Sequence, residues 1–198
     1  MLPWEHAAVA YLLYSGYSRV RYGEPPKGWP VLIVLFASQL PDLIDKPLAW
    51  HFGVLPSGRS LAHSIFVGVP LSALVLGLAH RRGRPELGSA FTIGYLSHLA
   101  TDAVPLYPSA STSFESILWP LFDQEYSHHH HEGFLELTID ILIGNYPSLF
   151  TADPDSNVLI AIAIVGVMLL VWIVDGAPGV QETVRLVRWP IDLVRDRY

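Results

Sequence analysis

The sequence predicts an all-α protein: a multipass transmembrane helical bundle of about five spans, with amphipathic interfacial helices beside it. Three observations carry that prediction. Apolar residues make up 51% of the 198 positions and charged residues only 15%, with a mean hydropathy of +0.36, whereas ordinary soluble domains are about 25% charged. Apolar runs of helical length recur between connections rich in proline, glycine and charge. The basic residues also collect in alternate connections, as they do in membrane proteins whose cytoplasmic loops attract lysine and arginine.

The first helix is expected over Pro3 to Tyr17, because proline is tolerated in a first turn and Ala7 to Leu13 is apolar. Arg19, Arg21 and Lys27 follow it. A second apolar segment runs from Pro30 to Leu40 and ends at Pro41, Asp42 and Asp45, ahead of a Pro-, Gly- and Trp-rich loop over about 46–60. The third, Leu61 to Ala79, has His63 near its start and Arg81, Arg82 and Arg84 after its end. The fourth, Leu87 to Leu106, contains His98 and Asp102. Residues 105–155 are less regular, with amphipathic pieces at Phe114 to Phe122 and Phe134 to Ile143 and an open membrane placement. Asn157 to Val174 is eighteen residues without a charge, the clearest span. Asp175 to Gly179 stops it. The remainder, 180–198, alternates Arg185, Arg188, Arg195 and Arg197 with apolar residues, and reads as a basic interfacial tail broken at Pro190. Residues 1–179 read as one membrane-embedded domain.

Composition also narrows the chemistry. With no cysteine, disulfides and thiolate metal sites are excluded. The net charge of −6, without a broad basic run, argues against nucleic acid as a partner. The N-terminus shows neither the basic start nor the cleavage site of a signal peptide, so insertion is expected to use internal segments.

If the apolar segments alternate up and down, the basic connections share the cytoplasmic side. His6, Asp42, Asp45, His63, His98 and Asp102 then all fall at the opposite end. Buried imidazoles and carboxylates are costly unless something compensates them, and a divalent cation compensates both. Zinc suits these ligands best, with manganese or iron as alternatives, and two ions sharing a carboxylate are a further possibility. The expected ligands are therefore His6, Asp42, His63, His98 and Asp102, with Asp45 as ligand or general base and Arg59 holding an anionic group. Each residue also has a plain structural reading: His6 as an interfacial residue, Asp42 and Asp45 as caps, His98 and Asp102 as a satisfied pair. Convergence at one depth favours the metal. The run His128, His129, His130, His131 reads as a solvated loop, or with Glu132 as a cover over the site, and Glu136 and Asp140 as outer partners.

His6, Leu40-Pro41-Asp42-Leu43-Ile44-Asp45, Arg59 to Ser64, Gly94 to Asp102 and Leu118-Trp119-Pro120 together resemble the YdjM-like family of inner-membrane, LexA-binding, metal-dependent hydrolases. The resemblance covers roughly residues 1 to 125. Gly58 stands where that family carries an additional histidine, a place left to His51 or the histidine run. The resemblance implies a multipass protein of the inner (plasma) membrane with a histidine-aspartate metal site.

The expected activity is attack of metal-activated water on an ester, a phosphoester of a lipid or lipid-linked head group, at the non-cytoplasmic membrane surface. Membrane lipids are then the expected partners; oligomeric state is not readable. Two rivals remain: a transporter or ion pathway, and a non-catalytic scaffold with a structural metal.

Overall fold

The computed structural model describes residues 2–104, 106–107, 114–122 and 156–195. All regular structure among them is helical. Helix α1 spans Pro3–Tyr22, α2 Gly28–Ala37, α3 Leu40–Lys46, α4 Ile65–Arg81, α5 Pro85–Ala103, α6 Ser156–Val174 and α7 Val180–Arg195. A wide single turn at Pro47–His51 follows α3, and a short 3₁₀ turn occupies Phe114–Ile117. The amphipathic piece expected at Phe114 to Phe122 is thus one tight turn and a bend, while Phe134 to Ile143 lies outside the described residues.

Local chemistry sets the helix ends. Pro3 opens α1, and the Leu2 N–H donates to the Glu5 carboxylate at 2.8 Å, satisfying one of the unpaired donors of the first turn. Gly23, at φ 74°, closes α1 with its N–H on the Arg19 carbonyl. The Ser64 hydroxyl caps α4 by accepting from the Phe66 N–H at 3.2 Å. Pro85 opens α5. Helix α7 runs on through Pro190 instead of breaking there; an internal proline removes one backbone bond and kinks a helix more readily than it ends one.

Helix α5 is the axis of the fold and packs against α1, α2 and α4, while α6 lies along α1. Ala10, Tyr14, Val34 and Ala90 form the shared core of α1, α2 and α5. Close approach depends on missing side chains: a Cβ on Gly94 would lie 2.5 Å from the Val34 carbonyl oxygen, and one on Gly68 would lie 2.8 Å from the Tyr95 ring. The chain reverses between α1 and α2, between α3 and α4 and between α4 and α5. The C-terminal end of α1, the N-terminal end of α2 and the α4–α5 turn therefore share one end of the bundle, with the N-terminus of α1, α3 and the C-terminus of α5 at the other.

Among the described residues one helix, α6, is both long and apolar enough to cross a membrane, with nineteen residues, a mean hydropathy of 2.8 and most of its length exposed. Helix α2, with ten residues, rises only about 15 Å, half the hydrocarbon core of about 30 Å.

Candidate metal centre

His6 enters from the first turn of α1, Asp42 from α3, His63 from the loop immediately before Ser64, and His98 and Asp102 from the last two turns of α5. The four-residue spacing of the last pair puts both on one helix face. His6, His63 and His98 are 1%, 0% and 0% exposed. Buried polar groups of this kind need partners.

Each ring is anchored through Nδ1. His98 Nδ1 donates to the Ser38 carbonyl at 2.6 Å. His63 Nδ1 donates to Asp45 Oδ2 at 2.9 Å. His6 Nδ1 lies 2.9 Å from the Thr101 hydroxyl, which itself donates to the Ser97 carbonyl and so accepts from the ring. Anchored in this way, all three rings offer an Nε2 lone pair to the interior.

Those lone pairs converge. The Nε2 atoms of His63 and His98 are 3.1 Å apart. Asp42 Oδ1 lies 3.4 Å from the first and 3.8 Å from the second. Asp102 Oδ2 lies 3.6 Å and 3.9 Å from the same two atoms. Ligands placed about 2.0–2.2 Å from a tetrahedral ion stand about 3.3–3.6 Å from one another. The observed spacings bracket that edge length. Two imidazole lone pairs facing at 3.1 Å repel unless a proton or a cation lies between them, so the donor set fits a divalent ion. His6 Nε2 is 3.4 Å from the other Asp102 oxygen, Oδ1, and its ring stacks on His98 with centroids 3.9 Å apart. Asp102 therefore faces a second group of possible ligands, His6 and His98.

The charges around the cluster are graded. Burial pushes the His63 imidazole down, yet Asp42 and Asp45 win and raise it. Arg59 Nε lies 3.1 Å from Asp102 Oδ2 with its side chain about half exposed. It marks where the cluster meets the surface.

All the expected ligands are thus brought together. Asp45 is close but differently employed: its oxygens accept the backbone N–H groups of Ser60 and Ala62, both at 2.8 Å, and of His63 at 3.1 Å, besides the His63 ring. The carboxylate shapes the loop and aims the imidazole. His51 is exposed, with its ring against Phe52, away from the cluster. At Gly58 a Cβ would meet the Trp50 ring at 3.0 Å and Lys46 Cγ at 3.2 Å. His128, His129, His130, His131, Glu132, Glu136 and Asp140 lie outside the described residues.

Sequence reasoning missed Thr101, Ser38, Lys46 and Tyr95. Lys46, 2.6 Å from Asp42 Oδ2, was readable from its i,i+4 spacing. Tyr95, whose hydroxyl holds the Ala62 carbonyl at 2.6 Å beside His63, and the Ser38 carbonyl act across 33 and 60 residues and leave no local signal.

Residues 1–178 match the profile of the YdjM inner membrane protein family, a span that contains the whole cluster and all of α6. The chain belongs to that family. No curated protein and no solved structure matches it. In this YdjM-family protein of the inner membrane, a buried group of three histidines and two aspartates that suits a metal ion sits at one end of a helical bundle.

Proposed function

We propose that this YdjM-family protein is a membrane-bound, metal-dependent hydrolase that cleaves a phosphoester of a lipid or lipid-linked head group. The observation that carries the reading is the convergence of three Nδ1-anchored imidazoles and two carboxylates at the spacing of a coordination sphere. His63, His98, Asp42 and Asp102 hold the ion, zinc foremost, with manganese or iron as alternatives. A bound cation of this type lowers the pKa of a water molecule toward about 7 and polarises a phosphoryl oxygen. Asp45 is a positioning residue that keeps the His63 tautomer and ring angle. His6, with the outer oxygen of Asp102, completes a second ligand pair or takes up a proton. Arg59 is free to swing from Asp102 to a phosphate, which its planar fork suits.

The membrane arrangement supports a head group as substrate. We place about five crossings in the bilayer, with α2 reaching across only together with α3. Arg19, Arg21, Lys27, Arg81, Arg82 and Arg84 lie at the bundle end opposite the cluster, which supports a non-cytoplasmic cluster, since basic residues collect on the cytoplasmic side. A transporter would spread its metal-ligating residues through the membrane depth; here the three buried histidines gather at one end. The half-exposed Arg59 beside the cluster favours an anionic substrate over a purely structural metal.

Elemental analysis of detergent-purified protein tests the site, and a panel of phospholipids tests the reaction. We expect about one to three divalent ions per chain, lost in the H98A/D102A double variant together with phosphoester turnover. Full metal content in that variant removes the site; metal flux into liposomes without turnover replaces the hydrolase with the transporter.

A further inference from the structure

At the other end of the bundle, a groove of about 560 Å³ lies beside the α4–α5 turn. Val75, Leu78, Ala79 and Leu87 line it, and Arg82 and Arg84 stand at its rim. Among the described residues no carboxylate pairs with Arg81, Arg82 or Arg84 (compare Arg19 with Asp175, Lys27 with Glu24 and Lys46 with Asp42). Glu86, the nearest acid in sequence, acts electrostatically on Tyr14 and Lys27 instead. The apolar lining continues along α4 through Leu74, one turn before Leu78, and both are exposed.

We propose that this groove is a binding site for an anionic phospholipid, with an acyl chain against Val75, Leu78 and Leu87 and the phosphate between Arg82 and Arg84. Three facts on the molecule select that occupant. The lining is apolar and opens onto an apolar helix face, as a hydrocarbon chain requires. Two guanidiniums without counter-charges among the described residues crown it, which complements a phosphodiester. The chain belongs to an inner-membrane family, so a lipid leaflet is its solvent, and basic pockets between helices recognise anionic head groups. The site is independent of the hydrolase reading, lying at the end of the bundle away from His98.

Native mass spectrometry of the full chain in detergent, titrated with phosphatidylglycerol or phosphatidylcholine of matched acyl chains, tests it. We expect the anionic lipid to be retained in preference, and R82Q/R84Q to reduce that preference about thirtyfold, the effect of two arginines near a membrane surface. L78D should reduce retention of either lipid, whereas R21Q, whose guanidinium lies over the Tyr22 ring at 5.5 Å, should leave it unchanged. All these side chains are exposed, and circular dichroism confirms equal helicity. Equal retention of both lipids, no change in R82Q/R84Q, or full competition by glycerol phosphate, which would make it an anion site without a lipid seat, each overturns the proposal.

Discussion

The two ends of α1 bury carboxylates in opposite ways. At the C-terminal end, Asp175 accepts from the Tyr11 and Ser15 hydroxyls, each at 2.7 Å, and pairs with the Arg19 guanidinium. Every partner is a donor, and the arginine matches the charge. The cluster is closed on itself, a latch that fastens the end of α6 to α1. At the N-terminal end potential ligands crowd together: three Nε2 atoms meet Asp42 and Asp102, with a proton on His63 standing in for a cation and Lys46 and Arg59 reaching only the rim. A buried group whose donors and charges balance holds a fold together. One with an excess of lone pairs asks for a cation. Donor accounting thus separates two clusters that composition alone would rank alike.

The largest break in that contrast should come from Asp45→Asn. The amide cannot accept from three backbone N–H groups and a ring N–H together, so His63 loses its aim. Metal affinity should drop about 10- to 100-fold, the usual cost of removing a ligand's outer partner, as measured by competition with a chelator; an unchanged affinity would mean that Asp45 does not position His63. Asp175→Asn should act in the complementary way. It weakens the charge-assisted bonds from Tyr11, Ser15 and Arg19 and should cost about 1–3 kcal/mol of stability, read as a lower unfolding temperature in detergent, with metal content per folded chain unaltered. Loss of metal in that variant would merge the two clusters into one coupled system.

The smallest effect is a pH dependence. Without metal, His63 keeps its proton above the usual imidazole range because Asp42 and Asp45 outweigh burial. An ion must displace that proton, so binding weakens as pH falls through and below the raised His63 value, by about tenfold per pH unit for each proton released. Isothermal titration at several pH values in buffers of different ionisation enthalpy counts the protons. A flat profile would show that the cluster does not bind metal through His63.

Helix content was legible because apolar runs of 10–20 residues between prolines and glycines permit little else. The gathering of His6, Asp42, His63, His98 and Asp102 was legible too, since short connections force neighbouring helices to alternate. Other features were not. A proline at position 190 reads as a stop, yet α7 continues, because the lost backbone bond is local. Asp175 reads as a helix terminator, and its docking onto Tyr11 and Ser15 joins residues 164 and 160 positions apart. The number of membrane crossings was read from composition, and among the described helices α6 alone has the length and hydropathy to decide it.

By itself, then, the order of residues determined which groups stand at which helix ends, because helix period and chain reversal are local rules. The tertiary structure alone decided what each group does there. Whether Asp45 is a ligand or a guide for His63, and whether His98 offers Nε2 or Nδ1, depends on hydrogen-bond partners drawn from distant helices. Those partners meet only because Gly94, lacking a side chain, lets α5 press against α2 and bring the Ser38 carbonyl to the His98 ring.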